Sequence, residues 1–174
     1  MSLVFLIGMP ASGKSYWGKV LEESYRWRFV DIDGHIVETK GKTIAQIFED
    51  EGEAKFREIE SQALKEVVDN ALEDTVVATG GGVVLSSDNM LFMKASGCVI
   101  YLETPIDILK ERLEKDINNR PLFKNVSDID ILLKNLYEIR KPLYEQADHI
   151  FEYKNISVVN FEEILNKCID RHLL

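Results

Sequence analysis

Apolar residues along this chain follow two alternating rhythms. Short runs rich in aliphatic and aromatic residues occur at 3–7, 29–33, 75–79, 98–102 and 149–153. Each is too short for a helix and reads as a strand, buried where the run is unbroken. Between them lie segments with apolar residues at helical spacing. One spans about 14–25, with Trp17, Val20 and Leu21 inward. Another spans 53–72, with Phe56, Ile59, Ala63, Leu64, Val67, Val68 and Ala71 on one stripe. Shorter helical patterns cover 88–95 and 104–115, where Thr104 is the expected cap and Pro105 the first turn. A long helix is expected from Ser127 towards Gln146, and a closing one over 161–172. The polar stretch 34–52 reads as short helices with Ile36, Ile44, Ile47 and Phe48 inward. Strands that alternate with helices predict an α/β fold with a mostly parallel sheet. No repeat, low-complexity tract or linker interrupts the 174 residues, so one domain over 1–174 is expected.

The first strand runs straight into Gly8-Met9-Pro10-Ala11-Ser12-Gly13-Lys14-Ser15, the pattern G-x-x-x-x-G-K-S. Its chemistry follows from its backbone. The glycines let successive N–H groups turn inward on an anion, and the following helix adds its positive dipole end. Lys14 can then reach the β- and γ-phosphates, and the Ser15 hydroxyl can hold Mg²⁺. The strand–loop–helix context that this motif requires is present, so nucleotide phosphate binding is expected.

Charge narrows the partners. With 21 Lys+Arg against 30 Asp+Glu the net charge is −9. An acidic surface argues against broad binding to nucleic acid or anionic membranes, and leaves anionic ligands to a few local cations. The N-terminus has no signal-peptide pattern and no apolar run reaches membrane-spanning length, so a cytoplasmic location is expected. Cys98 and Cys168 have no zinc spacing and no redox pairing, and read as small core hydrophobes.

In open parallel sheets, ligands bind beyond the carboxyl ends of the strands. Three strand ends should therefore meet in one cleft: the phosphate loop, Asp31 with Asp33, and Gly80-Gly81-Gly82. The strand at 75–79 ends in glycine and cannot supply the second acidic group that often accompanies such a loop. Asp31 is the nearest candidate for Mg²⁺. Asp33, one pleat further on the same side, could align or deprotonate a substrate hydroxyl; the competing reading is that both aspartates cap the next helix. The same tripeptide recurs at Asp128-Ile129-Asp130, where it follows Ser127 and capping is the better reading. The three glycines admit a ligand close to the backbone, or form a tight turn alone. Arg57, Arg120 and Arg140 are each open to two readings, a solvated surface charge or a ligand contact. Arg120, within Asn118-Asn119-Arg120-Pro121, could sit on a lid.

Taken together, the motifs resemble the shikimate kinases, a branch of the nucleoside-monophosphate-kinase-like P-loop proteins. The resemblance rests on Gly8 to Ser15, Phe29-Val30-Asp31-Ile32-Asp33, Phe56-Arg57-Glu58-Ile59-Glu60 and Ala78-Thr79-Gly80-Gly81-Gly82. It continues through Tyr101 to Pro105, Arg120-Pro121-Leu122 and Arg140-Lys141-Pro142-Leu143-Tyr144. It implies a three-layer α/β/α fold with a five-stranded parallel sheet in order 2-3-1-4-5. A substrate-binding segment at about 33–60 and a lid at about 112–125 belong to it. It also implies ATP- and Mg²⁺-dependent phosphorylation of the shikimate 3-hydroxyl, by a protein expected to act as a monomer. Asp33 would be the base, and Lys14 and Arg120 would stabilise the transferring group. Gly8, Ala11, Ser12, Gly13, Lys14, Ser15, Tyr16, Arg112 and Arg120 would hold the nucleotide, with Arg112 on the adenine. Ser15 and Asp31 would serve the metal. Arg57, Arg140 and the three glycines, with Asp33, would hold shikimate. Three positions depart from the family pattern: Pro10 where no proline is usual, Ala11 where a glycine is usual and Tyr16 where a threonine is. A related kinase acting on gluconate or a nucleoside monophosphate is the nearest alternative, and a nucleotide-binding regulatory module is the alternative of another class.

Overall fold

The computed structural model describes residues 1–115 and 128–171, with side chains to residue 167. Five strands form a parallel sheet in order β2-β3-β1-β4-β5: β1 (Leu3–Ile7), β2 (Arg28–Asp31), β3 (Thr75–Ala78), β4 (Cys98–Glu103) and β5 (His149–Glu152). Among the described residues seven α-helices connect and cover them: α1 (Lys14–Tyr25), α2 (Ile32–Lys40), α3 (Ile44–Asp69), α4 (Ser87–Ser96), α5 (Ile106–Lys115), α6 (Ile129–Tyr144) and α7 (Val158–Arg171). This is the strand order that the resemblance implied.

The central strand explains the layering. All five residues of β1 are buried, and they alternate between two cores. Leu3, Phe5 and Ile7 join Phe56 and Ile59 of α3, Met90 and Met93 of α4, Leu109 of α5 and Tyr144 of α6. Val4 and Leu6 face the other way, onto Leu21 of α1 and Phe161, Ile164 and Leu165 of α7. A strand apolar on both sides needs a helical layer on each face. At about 1.5–3 kcal/mol per fully buried aliphatic or aromatic side chain, β1 is among the strongest contributors to the fold.

Register places the site. Asp31 pairs with Ala78 on β3, and Ala78 pairs with Leu6 on β1. The carboxyl ends of β2, β3 and β1 therefore reach the same rim, where the phosphate loop and the three glycines begin.

Four local expectations are corrected. The strand expected at 29–33 ends at Asp31, and α2 starts at Ile32. Asp33 thus stands in the first turn of a helix, not one pleat further on. The cause is Asp31, whose carboxylate accepts from the N–H groups of Asp33 (3.0 Å) and Gly34 (3.3 Å). Asp128 does the same for Asp130 and Ile131 at the start of α6, so the two Asp-Ile-Asp tripeptides share one capping geometry. Thr104 does not spend its hydroxyl on the start of α5; it donates to the Ser12 carbonyl at 3.3 Å and ties β4 to the phosphate loop. Lastly, Cys98 is buried as expected but is disulfide-bonded, which the wide sequence spacing of two cysteines did not signal.

Candidate active site

The phosphate loop is wound by three residues with positive φ: Gly8 (149°), Ala11 (64°) and Gly13 (98°). Gly13 caps α1 without any side-chain acceptor, which leaves the first-turn N–H groups for an anion. Lys14, 7% exposed, folds over the loop and donates to the carbonyls of Gly8 and Met9, both at 2.9 Å. Its ammonium is thereby held at the mouth of the anion cradle. Ser15 donates to Asp31 through a short hydrogen bond, so the hydroxyl and a carboxylate oxygen stand side by side. Asp31 caps α2 with one oxygen and meets Ser15 with the other, so the capping role leaves its second oxygen in the cleft.

These residues line a cleft of about 710 Å³, with Pro10, Ala11, Gly13, Lys14, Ser15, Tyr16, Asp31, Asp33, Thr79, Gly81 and Arg112 in its wall. Of the expected phosphate residues, Ala11, Gly13, Lys14, Ser15 and Tyr16 meet Asp33 in this wall, while Gly8 and Ser12 belong to the loop but not to the wall. The same cleft has an aromatic and aliphatic part, formed by Trp17, Tyr153 and Ile156. Arg112 links it to the phosphate loop. Its guanidinium donates to the Ala11 carbonyl at 3.0 Å and lies 5.3 Å from the Tyr153 ring centroid. A flat cation over a flat ring is a ready surface for a base to stack on. Ala11, the residue that replaces a glycine, takes the left-handed conformation and presents the carbonyl that Arg112 uses.

A cluster of charged side chains sits behind the glycines. A methyl group at Gly80 would lie 2.2 Å from Glu60 Oε1 and 3.2 Å from Asp33 Oδ1. One at Gly82 would overlap the Arg57 guanidinium, at 2.3 to 2.5 Å. A side chain at either position would displace these charged groups, which pack onto bare backbone. Arg57 pairs with Glu60 at 2.8 Å and Glu53 at 3.0 Å. Arg140, 2% exposed, donates to the Gly81 carbonyl at 3.1 Å. Arg57, Arg140, Gly80 and Gly82 are therefore grouped around Asp33 and Gly81, behind the cleft wall. Arg120 and most of the expected lid lie outside the described residues.

Sequence reasoning missed Glu60, Tyr144 and Tyr153. Glu60 is wholly buried, and its Oε1 has no hydrogen-bond partner among the described residues. Burial holds its carboxyl above the ordinary carboxylate range, with Arg57 pulling the other way and the nearby Asp33 adding to the rise. The available signal was its position, a charge inside the apolar stripe of Phe56, Ile59, Ala63 and Leu64. No group of three or more His, Cys, Asp or Glu among the described residues forms a metal cage.

A family model described as shikimate kinase matches residues 10–172. The chain belongs to the shikimate kinase family. A shikimate kinase of Microcystis aeruginosa is 46% identical over 145 residues, 83% of this chain and 74% of the relative. One of Persephonella marina is 42% identical over 149 residues, 85% of this chain and 87% of the relative. Among solved structures, a shikimate kinase from Acinetobacter baumannii in complex with shikimate superposes with a TM-score of 0.86 at 34% identity. That match covers 100% of this chain and 96% of the other. The shikimate kinase of Bacteroides thetaiotaomicron gives 0.87 at 31%, covering 95% and 98%. No described helix of this shikimate-kinase-family chain is long and apolar enough to cross a membrane.

Proposed function

We propose that this protein transfers the γ-phosphoryl group of ATP to the 3-hydroxyl of shikimate, giving 3-phosphoshikimate and ADP. The observation that carries the reading is the shared cleft, where Lys14 and Ser15 of the phosphate loop face Asp33 and Gly81 across one wall. Membership of the family supports the acceptor's identity, and the roles below are read from the geometry as part of the proposal. Phosphoryl transfer needs little covalent work from protein, so alignment and charge account for most of the rate.

Asp33 accepts the proton of the attacking hydroxyl, held in place by the first turn of α2. Lys14 follows the charge that develops on the transferring group. Arg57 and Arg140 hold the shikimate carboxylate against the glycine turn, each contact contributing about 1.5–3 kcal/mol. For Arg57 the substrate competes with Glu53 and Glu60, so its share falls at the lower end. Arg112 and Tyr153 take the adenine. Arg120 belongs to the reading as a lid cation.

Ser15 and Asp31 form an all-oxygen pair beside the phosphate loop, the donor chemistry Mg²⁺ prefers. With so few protein oxygens, the ion would complete its shell with phosphate oxygen and water. When bound it would neutralise phosphate charge. The reading takes the enzyme as a monomer, and as cytoplasmic, where ATP is supplied.

An ADP-release assay with shikimate, gluconate and nucleoside monophosphates tests this. Turnover on shikimate alone is expected. Turnover on gluconate or a nucleotide, with none on shikimate, overturns the reading. ATP hydrolysis indifferent to every acceptor would favour a regulatory module.

A further inference from the structure

The most enclosed polar group near the cleft that no step above uses is the hydroxyl of Tyr144. The side chain is 0% exposed, at the last turn of α6, and its ring stacks on Tyr101 with centroids 5.0 Å apart. The hydroxyl donates to the Gly81 carbonyl in a short hydrogen bond and touches the Met9 sulfur at 3.9 Å. Arg140, one helical turn earlier, donates to the same carbonyl. The Gly81 Cα in turn faces the Pro10 ring, whose Cδ would be 2.8 Å from a methyl placed there. One buried oxygen thus meets the phosphate loop through Met9 and the acceptor loop through Gly81.

The carbonyls on either side of Gly81 are spent in a tight turn, Gly80 on the Val83 N–H and Gly82 on the Leu85 N–H. The carbonyl of Gly81 is held from α6 instead. Among the described residues the orientation of that peptide plane depends on two donors, Tyr144 and Arg140.

We propose that Tyr144 is a positioning residue for the acid substrate. Its hydroxyl shares the Gly81 carbonyl with Arg140, and so fixes the glycine turn and frees part of the guanidinium for a carboxylate. This rests on the reading of the cleft given above. Burial outweighs the opposing pull of Arg140 and Arg57 and raises the hydroxyl's pKa far above neutrality, so it remains a donor across the neutral range. It therefore aligns and does not exchange protons. Without it, Arg140 is the remaining donor to a buried carbonyl and is drawn away from the substrate.

The test is steady-state kinetics of Tyr144→Phe, with Tyr101→Phe as the control. The control removes a buried hydroxyl from the stacked partner ring, one that touches neither Gly81 nor Met9. Tyr144→Phe is expected to raise the KM for shikimate about tenfold, the scale of one lost buried hydrogen bond. The KM for ATP should stay within about twofold, and the loss should be flat from about pH 6 to 9. Tyr101→Phe should leave the shikimate KM unchanged. KM does not depend on how much of a preparation is folded, so partial misfolding does not hide the answer. An unchanged shikimate KM in Tyr144→Phe overturns the proposal. So does an equal rise in both KM values, or the same rise in Tyr101→Phe. Failure of the wild-type protein to use shikimate would instead overturn the functional reading.

Discussion

Arg57 and Glu60 form a 2.8 Å ion pair one helical turn apart, in which the glutamate is wholly buried and the arginine is not. The pair is thus lopsided. Desolvation works against the Glu60 carboxylate more than Arg57 offsets it, and its pKa is raised above 4.5. A raised carboxyl pKa means the folded state binds the proton more tightly than the unfolded chain. The stabilisation is present below the unfolded value and is lost as pH climbs through the folded one. Relative to Glu60→Gln, which cannot ionise, the wild-type protein should be most favoured near pH 4 and lose ground towards pH 7. Urea unfolding of both proteins across that range checks the slope. A gap independent of pH would contradict the raised pKa.

Asp33→Ala should lower kcat by about 10²–10⁴-fold, the usual contribution of a positioned base. Nucleotide affinity should persist, because Lys14 and the loop N–H groups are untouched. Calorimetric titration with ADP alongside the turnover assay separates the two. Turnover within a few-fold of wild type would remove Asp33 from the base role.

Asp31 has two functions that one substitution can separate. Asparagine caps a helix as well as aspartate does, but is a poorer partner for a cation. Asp31→Asn should keep stability within a few tenths of a kcal/mol and raise the Mg²⁺ concentration for half-maximal rate. Asp31→Ala should lose both, with about 1 kcal/mol of stability. Asp128→Ala, at the matching cap of α6, should lose the stability and leave the Mg²⁺ requirement alone.

Arg140→Ala should raise the shikimate KM by about tenfold or more, from loss of a charge-assisted contact. Because Arg140 is 2% exposed and bonded to Gly81, a fall in Tm should accompany it. Arg140→Lys should not restore the KM, since a point ammonium cannot span the peptide carbonyl and a carboxylate as a planar fork does.

Ala11 sits at φ 64°, where an L-residue with a Cβ is disfavoured by roughly 1–2 kcal/mol. Ala11→Gly relieves that strain but loosens the unfolded chain by about 0.4–1 kcal/mol. Net stabilisation between about 0 and 1.6 kcal/mol is expected, read as a small rise in Tm with the ATP KM nearly unchanged.

The phosphate loop was legible because its function lies in consecutive residues, whose order alone dictates the winding. Sheet order was legible through resemblance. Asp33 was expected on an extended pleat and stands in a helical turn, since its position depends on where β2 stops. That boundary is set by a side-chain cap from Asp31, a contact weaker than the apolar pattern around it. Glu60 and Tyr144 were hidden for another reason. Their importance comes from burial against residues 20 or more positions away, Gly80 and Gly81, and no local spacing encodes such a meeting. Arg57 and Arg140 could be named but not weighed, because a helical arginine looks the same in sequence whether it faces water or a glycine turn.

The pyrrolidine of Pro10 fits against Gly81 with no room for a β-carbon between them. Neither loop is therefore free to drift by itself over evolutionary time. A graft that exchanges residues 8–15 with those of a distant homologue should travel with residues 80–82, and sequences of this lineage should covary at positions 10 and 81.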